Sequence, residues 1–280
     1  MIEPVGIEQH NAEIQENAIH WLRKPVLRRA YGLLYREIAS RLHDLPAGLL
    51  VECGSGIGNL KQAMPHCVAT DLFPNPWLDR TENVYVLSFP DRSVAGLVLF
   101  DVLHHLEHPG TALVEIARVL SPGGRLVIVE PAMGLLGRAA LGLFHHEPLG
   151  LGREIRWEAP PGWHPSLANY YAAQGNAWRI FRDPAFLARL APLQVREVSY
   201  SSALPWLLSG GFRGPQLYPS PLFPLLLWLD RFASRLPRLF ATRMMVVLER
   251  RQDELAGPAD HGLRPAGQTS GDCGETAGSG

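Results

Sequence analysis

The chain has 280 residues, 46% of them hydrophobic, with 26 lysines and arginines against 27 aspartates and glutamates and a net charge of −1. That length can bury a sizeable core in one large or two small domains, and the balanced charge excludes a general electrostatic attraction to nucleic acid. Cys53, Cys67 and Cys273 make neither a metal spacing nor a disulfide framework, so a reducing cytoplasm is the expected compartment.

The start is polar, with Glu3, Glu8, Glu13 and Glu16, and has no apolar stretch of the kind a secretory signal needs. No run reaches the roughly 18 apolar residues of a membrane-spanning helix. From Asn11 to His43, Trp21, Val26, Leu27, Tyr31, Leu34, Tyr35 and Ile38 recur at helical intervals, and Pro25 splits the pattern into two helices by standing in the first turn of the second. Residues 1–45 therefore read as an N-terminal helical segment.

Strands and helices alternate from Gly48 to Pro131, which predicts parallel strands joined by crossovers and a ligand crevice beyond their carboxyl ends. The apolar run Leu49-Leu50-Val51 passes through Glu52 and Cys53 into Gly54, Gly56 and Gly58. Such a turn brings bare backbone against a ligand. The dinucleotide spacing fails, because its third glycine falls on Asn59, and the Glu52 carboxylate would repel a pyrophosphate while welcoming a cation. Cys53 beside this loop reads as a packing residue more readily than as a perturbed thiol. A second strand, Cys67 to Phe73, carries Asp71 near its tip, where a carboxylate can accept two hydrogen bonds from a cis-diol. Then come Leu87-Ser88-Phe89-Pro90-Asp91-Arg92-Ser93, the apolar strand Leu97 to Phe100 with Asp101 and His104-His105 behind it, and Glu115 to Pro131 with a Pro122-Gly123-Gly124 turn.

The glycine loop and these four segments after it, in this order, resemble class I S-adenosylmethionine-dependent methyltransferases. The resemblance implies an α/β fold, a Rossmann-like three-layer sandwich with a seven-stranded sheet whose last strand is antiparallel. It implies S-adenosyl-L-methionine as cofactor, bound by Glu52, Gly54, Ser55, Gly56, Asp71, Leu72, Ser88, Phe89, Phe100 and Asp101, with the N-terminal helices packed across the cleft where Tyr31 or Tyr35 would line it. Two departures stand out. Asn83-Val84-Tyr85-Val86 offers no carboxylate for the adenine amino group, which leaves backbone near Ser88 and Phe89 to hold it, and Ala95 replaces a customary aspartate. The missing acid leaves open a catalytically silent partner or scaffold protein, and the glycine loop alone leaves open a nicotinamide-dependent oxidoreductase.

On this reading residues 46–250 form the methyltransferase domain, with a cofactor half at 46–131 and a substrate half at 132–250. After Pro131, Trp157, Trp163, His164, Tyr170, Tyr171 and Trp178 sit among glycines and prolines and suggest a lid or pocket wall. A helix is expected from Asp183 to Leu190, a sixth strand from Val195 to Ser202 and a seventh from Arg243 to Arg250. Between those strands lies an insertion, 203–242, whose Trp-containing apolar stretch is followed by Arg231, Arg235 and Arg238. It reads either as a helix packed on its own sheet or as a peripheral membrane contact. Its Leu207-Leu208-Ser209-Gly210-Gly211 segment, together with His145-His146-Glu147-Pro148, is similar to a bacterial branch of such methyltransferases. Residues 251–280 have the composition of a disordered tail.

The implied chemistry is methyl transfer from a sulfonium to a small, apolar or lipid-like acceptor, carried out by positioning and exclusion of water. A hydroxyl or acidic C–H acceptor would need a base. His104, His105, His145, His146 and Glu147 are the candidates, His104 and His145 foremost. No metal is expected, since adjacent histidines seldom point the same way and the sequence offers no evident third ligand to His145-His146-Glu147. The implied location is cytoplasmic, with contact at the inner face of a membrane.

Overall fold

The apolar runs at 49–53, 94–100 and 120–131 become the centre of one seven-stranded sheet in the computed structural model, which describes residues 7–167 and 171–252. Tyr170, Cys273 and the expected tail beyond residue 252 lie outside the described residues. The strands are β1 (Leu49–Cys53), β2 (Val68–Asp71), β3 (Arg80–Thr81), β4 (Val94–Phe100), β5 (Leu120–Pro131), β6 (Leu193–Ser201) and β7 (Arg243–Arg250), in the spatial order β3-β2-β1-β4-β5-β7-β6. Strands β1 to β5 pair in parallel, and β7 runs antiparallel between β5 and β6. This is the expected fold class.

Alternation along β4 decides which side chain enters which layer, because successive residues of a strand face opposite ways. Leu97 and Leu99 join Leu113, Ile116, Trp157 and Trp178 on one face. Val98 and Phe100 join Leu27, Tyr31, Leu34, Tyr35 and Ile38 on the other. Every residue of β4 is buried, as befits a strand covered on both sides.

The second layer comes from α1 (Ile7–Arg23) and α2 (Pro25–Ala39), separated at Lys24 as the proline predicts. Lys24 Nζ then donates to the carbonyls of Gly211 and Phe212 at 2.8 and 3.2 Å, tying the helix junction to the insertion. The opposite layer holds α3 (Pro109–Val119), α5 (Asn176–Ile180) and α6 (Pro184–Leu187).

Several expected elements are shorter than the sequence suggests. The crossover from β1 to β2 is a single 3-10 turn, Asn59–Gln62, where the glycine loop predicted a helix, and Pro65 closes the segment before a second turn can form. Helix α6 ends at Leu187, and Asp183 caps its start by accepting from the Ala185 amide at 2.9 Å. The Pro122-Gly123-Gly124 turn is absorbed into β5. Pairing jumps from Val94↔Leu120 to Gly96↔Arg125, so the turn bulges out of the strand, with Gly123 at φ +79°.

The insertion folds as α7 (Leu204–Leu208), α8 (Phe223–Ala233) and α9 (Pro237–Phe240). Phe223 and Leu226 of α8 pack on Val26 and Ala30 of α2, while Leu225, Trp228, Leu229 and Phe232 stay exposed. No described helix is long and apolar enough to cross a membrane.

Candidate functional site

Three strand tips carry acids at one end of the sheet. Glu52 in β1 is buried, and its Oε2 has no hydrogen-bond partner among the described residues. Burial pushes its carboxyl up to about 7, against the opposing hydrogen bond from Ser55 and with the nearby Asp71 charge adding to the rise. The loop beyond it is tightly built. Ser55 Oγ donates to the Glu52 carbonyl at 3.1 Å and accepts from the Thr70 amide at 3.0 Å, sewing the loop to β2. Gly54 adopts φ +77°, and a Cβ there would lie 2.3 Å from Val102 Cγ2, so two independent constraints demand glycine.

Asp71 at the tip of β2 accepts from the Gly56 amide at 2.9 Å and from the Leu72 amide at 2.7 Å, which fixes the glycine loop to the second strand. The Leu72 side chain is exposed. At the end of β4, Asp101 takes the unusual φ of +56° and ion-pairs with the buried Arg243 guanidinium of β7. That guanidinium lies 3.9 Å from the centre of the Trp206 ring, and its Nε has no hydrogen-bond partner among the described residues. Phe100 stacks on Tyr31 with ring centres 5.6 Å apart, and Tyr35 meets it edge-on at 6.0 Å. Burial raises the Tyr31 hydroxyl to about 12 and that of Tyr35 well above the usual range, so both remain neutral in the core beside Phe100. Ile14 of α1 lies against Gly56, and the N-terminal helices therefore cover the loop. Cys53 is a packed thiol, raised by burial to about 12.

The expected adenine contacts are rearranged. Ser88 is exposed, but its amide donates to Glu82 Oε2 at 2.8 Å and its hydroxyl to Glu82 Oε1. The Phe89 carbonyl accepts from Arg118 at 3.2 Å, and its ring is buried beneath Arg80. Those backbone groups are thus engaged within the protein. A carboxylate does stand at the third strand: Glu82 directly follows β3 and is buried. Glu82 immediately precedes the Asn83–Val86 segment, which carries no carboxylate of its own.

His104 lies in a polar cluster beyond β4, with one ring nitrogen within 4.8 Å of the Asp101 and Glu130 carboxylates. Only 3% exposed, it sits with Nδ1 2.6 Å from Glu130 Oε2 and Nε2 3.5 Å from Glu147 Oε2. Burial pulls its pKa down, but the two carboxylates prevail and hold the imidazole protonated, up to about 10. An imidazole set between two carboxylates is biased toward its charged form, the poorer proton acceptor. His145 is about two-fifths exposed, and burial lowers its pKa, so it stays neutral, with Nδ1 accepting from the Glu147 amide at 3.3 Å. The fold brings His105 to the same carboxylate, at 3.7 Å, a convergence of two distant segments that spacing in the sequence does not reveal.

Part of the expected aromatic wall does line a pocket, where Trp157 and Trp163 stand with His108 and Arg156. Trp157 and Trp178 are buried against α3, β6 and their neighbours, and Trp163 meets Tyr85 and His108 edge-on at 5.0 and 5.2 Å.

An open sheet ordered 3-2-1-4-5-7-6, with one reversed strand and acids at the tips of the first, second and fourth, is the class I methyltransferase fold. Residues 51–128 match the family model described as a methyltransferase domain. No curated protein matches the sequence. Similar solved structures include geranyl diphosphate methyltransferase in complex with GPP and sinefungin, at 14% identity and a TM-score of 0.47, covering 78% of each chain. The [4+2]-cyclase SpnF aligns at 13% identity and 0.46, over 90% of this chain and 98% of its own. Geranyl diphosphate C-methyltransferase from Streptomyces coelicolor A3(2) aligns at 12% and 0.46, over 79% of each chain.

Proposed function

We propose that this protein transfers the methyl group of S-adenosyl-L-methionine to a small apolar or lipid-like acceptor reached at a membrane surface. Two observations support the cofactor: Glu52 offers a buried carboxylate oxygen with no partner among the described residues, and the glycine loop leaves backbone bare beside it. When bound, the cofactor supplies a methyl group already activated by its cationic sulfur. In this reading Glu52 favours that cation, Gly54, Ser55 and Gly56 admit the cofactor backbone, and Asp71 and Leu72 border the ribose. Asp101, held by Arg243, faces the amino-acid end beside Phe100. The chain's remaining task is to align the acceptor and keep water out, which the helices carrying Ile14, Tyr31 and Tyr35 serve. For a hydroxyl acceptor, neutral His145 is the imidazole able to take the proton, giving up its contact with the Glu147 amide.

The observation that carries the acceptor class is an apolar surface at the site end of the sheet. Pro131, the last residue of β5, pairs with Arg243, the first of β7. The segment leaving β5 into α4 (Leu135–Phe144) and the segment arriving from α9 therefore meet at the end where Asp101 stands. Leu143 and Phe144 on α4 are 75% and 87% exposed, Trp228 on α8 is 54% exposed, and Leu236, Leu239 and Phe240 continue the surface around α9. Arg231, Arg235 and Arg238 belong to the same segment. Such a patch marks an interaction site, and each aromatic or leucine it buries is worth about 1.5–3 kcal/mol. Arginines whose stems lie along the apolar surface suit an anionic lipid interface. The reading keeps the protein cytoplasmic, at the inner face of the membrane, with 46–131 holding cofactor and 132–250 the acceptor, and with no nucleic-acid partner.

Two measurements on the full chain test this. Calorimetry with S-adenosylhomocysteine should give saturable heat, and its absence overturns the methyl-transfer reading. Flotation with phosphatidylglycerol vesicles should carry the wild type and leave a Phe144→Ser, Trp228→Ser variant behind, with cofactor affinity unchanged. A wild type that stays at the bottom of the gradient removes the membrane from the proposal.

A further inference from the structure

Glu147 is surrounded by four imidazoles drawn from two segments of the chain. Its Oε2 lies 3.5 Å from His104 Nε2 and 3.8 Å from His145 Nδ1, and its Oε1 lies 3.7 Å from His105 Nε2 and 3.9 Å from His146 Nε2. One donor atom each from His104, His105 and Glu147 lie within 4.8 Å of one another. We propose that His104 Nε2, His105 Nε2 and the Glu147 carboxylate form a binding site for a divalent transition metal of the zinc type.

Spacing is the first argument. Nitrogen and oxygen ligands about 2.0–2.1 Å from a tetrahedral zinc are about 3.3–3.4 Å apart; His104 Nε2 is 3.5 Å from Glu147 Oε2 and His105 Nε2 3.7 Å from Oε1, with one donor atom of each residue within 4.8 Å of the others, so the site closes around the ion by an inward movement of the side chains. Adjacent histidines do not usually share a ligand, but the 3-10 turn Leu103–His105 sets these two rings 4.1 Å apart at only 40°.

Orientation is the second. A histidine presents one ring nitrogen to a metal when the other is held as an N–H donor. His104 Nδ1 faces Glu130 Oε2 at 2.6 Å, and His105 Nδ1 faces the Tyr171 carbonyl at 3.0 Å, so both rings direct Nε2 toward Glu147. Glu130 is itself fully buried and fixed by the Leu103 amide at 2.6 Å. Gln174 Nε2 donates to Glu147 and fixes the carboxylate. A carboxylate behind a ligating histidine is the outer shell that orders metal centres.

Two imidazoles and one carboxylate select zinc, cobalt(II) or iron(II) over magnesium and calcium, which prefer all-oxygen cages. Binding forms the metal–Nε2 bond at His104 as the proton on that nitrogen passes to water, while the Nδ1 proton remains on the Glu130 side. Water or an exogenous oxygen would complete a tetrahedral set around such a metal. The inference does not depend on the identity of the methyl acceptor.

The test uses untagged, full-length protein stripped of metal with a chelator. Titration with cobalt(II), read by visible d–d absorption, should show one equivalent bound with the intensity of a four-coordinate site, and zinc should displace it. His105→Ala and Glu147→Gln should each weaken binding at least about 100-fold, and Glu130→Gln, which leaves the ligands in place, by about 10–100-fold. Circular dichroism checks that each variant folds, and partly exposed His105 serves if a buried change does not. The proposal is overturned if the wild type takes up no cobalt, or if His105→Ala and Glu147→Gln bind it as tightly as the wild type. In that case the cluster is an imidazolium bridging Glu130 and Glu147.

Discussion

Replacing Glu52 by glutamine should alter stability and cofactor affinity in ways that separate the charge of this residue from its shape. Its carboxyl is raised from 4.5 to about 7 by burial, so the folded state holds a proton that the unfolded chain gives up near pH 4.5. The folded protein therefore binds more protons between those values, and stability falls as pH rises through them. Evaluated between pH 5 and pH 8, this one group removes about 2.5 kcal/mol from the unfolding free energy. Urea unfolding of the wild type and of Glu52→Gln at pH 5, 6, 7 and 8 isolates the effect, because all other titrations cancel in the difference. The two curves should diverge by that amount, with the variant gaining on the wild type toward alkaline pH. A cation bound beside Glu52 reverses the preference. S-adenosylmethionine should then bind the variant about 10- to 150-fold more weakly, the range for a lost contact to a charged group. At pH 6 its binding to the wild type should release protons, seen as buffer-dependent heat. Parallel pH curves, or equal affinities, would refute the reasoning.

Asp71→Ala should weaken S-adenosylhomocysteine binding by about 1.5–3 kcal/mol and also lower the melting temperature, since the Gly56 and Leu72 amides lose their acceptor. Unchanged affinity by calorimetry takes Asp71 out of the site. Arg243→Met should cost about 2–4 kcal/mol in urea unfolding, because it strands Asp101 without its buried partner. Adding Asp101→Asn should recover part of the loss, and strict additivity would argue against the pair. Gly54→Ala should cost about 2–4 kcal/mol, combining a left-handed backbone with a Cβ 2.3 Å from Val102 Cγ2. Gly152→Ala, which meets nothing within 4 Å, should stay within about 0.5 kcal/mol by the same measurement.

Much of the fold is legible in the order of apolar runs. β1 and β7 fall on Leu49–Cys53 and Arg243–Arg250 as read, and Pro25 divides the first two helices, because strand burial and the missing proline amide act locally. The 3-10 turn after Gly58 and the stub of α6 were not legible, since a helix persists only where tertiary packing repays its nucleation. The strand-tip positions of Glu52, Asp71 and Asp101 follow from strand periodicity, and the sequence assigns them to one crevice once parallel pairing is granted.

What required the folded chain was every contact between distant segments. Arg243 meets Asp101 only because β7 reverses beside β5, and Glu82 reveals itself as the acid at the third strand only through its bonds to Ser88. His104 meets Glu130 and Glu147, residues 26 and 43 positions away. Helix α4 likewise meets α9, and α9 meets α8, across nearly a hundred residues. Local patterning determines which strands form and where acids and glycines punctuate them. Charge states and shared sites depend on burial and on separations of a few ångströms, and those are set by how the strands and helices pack.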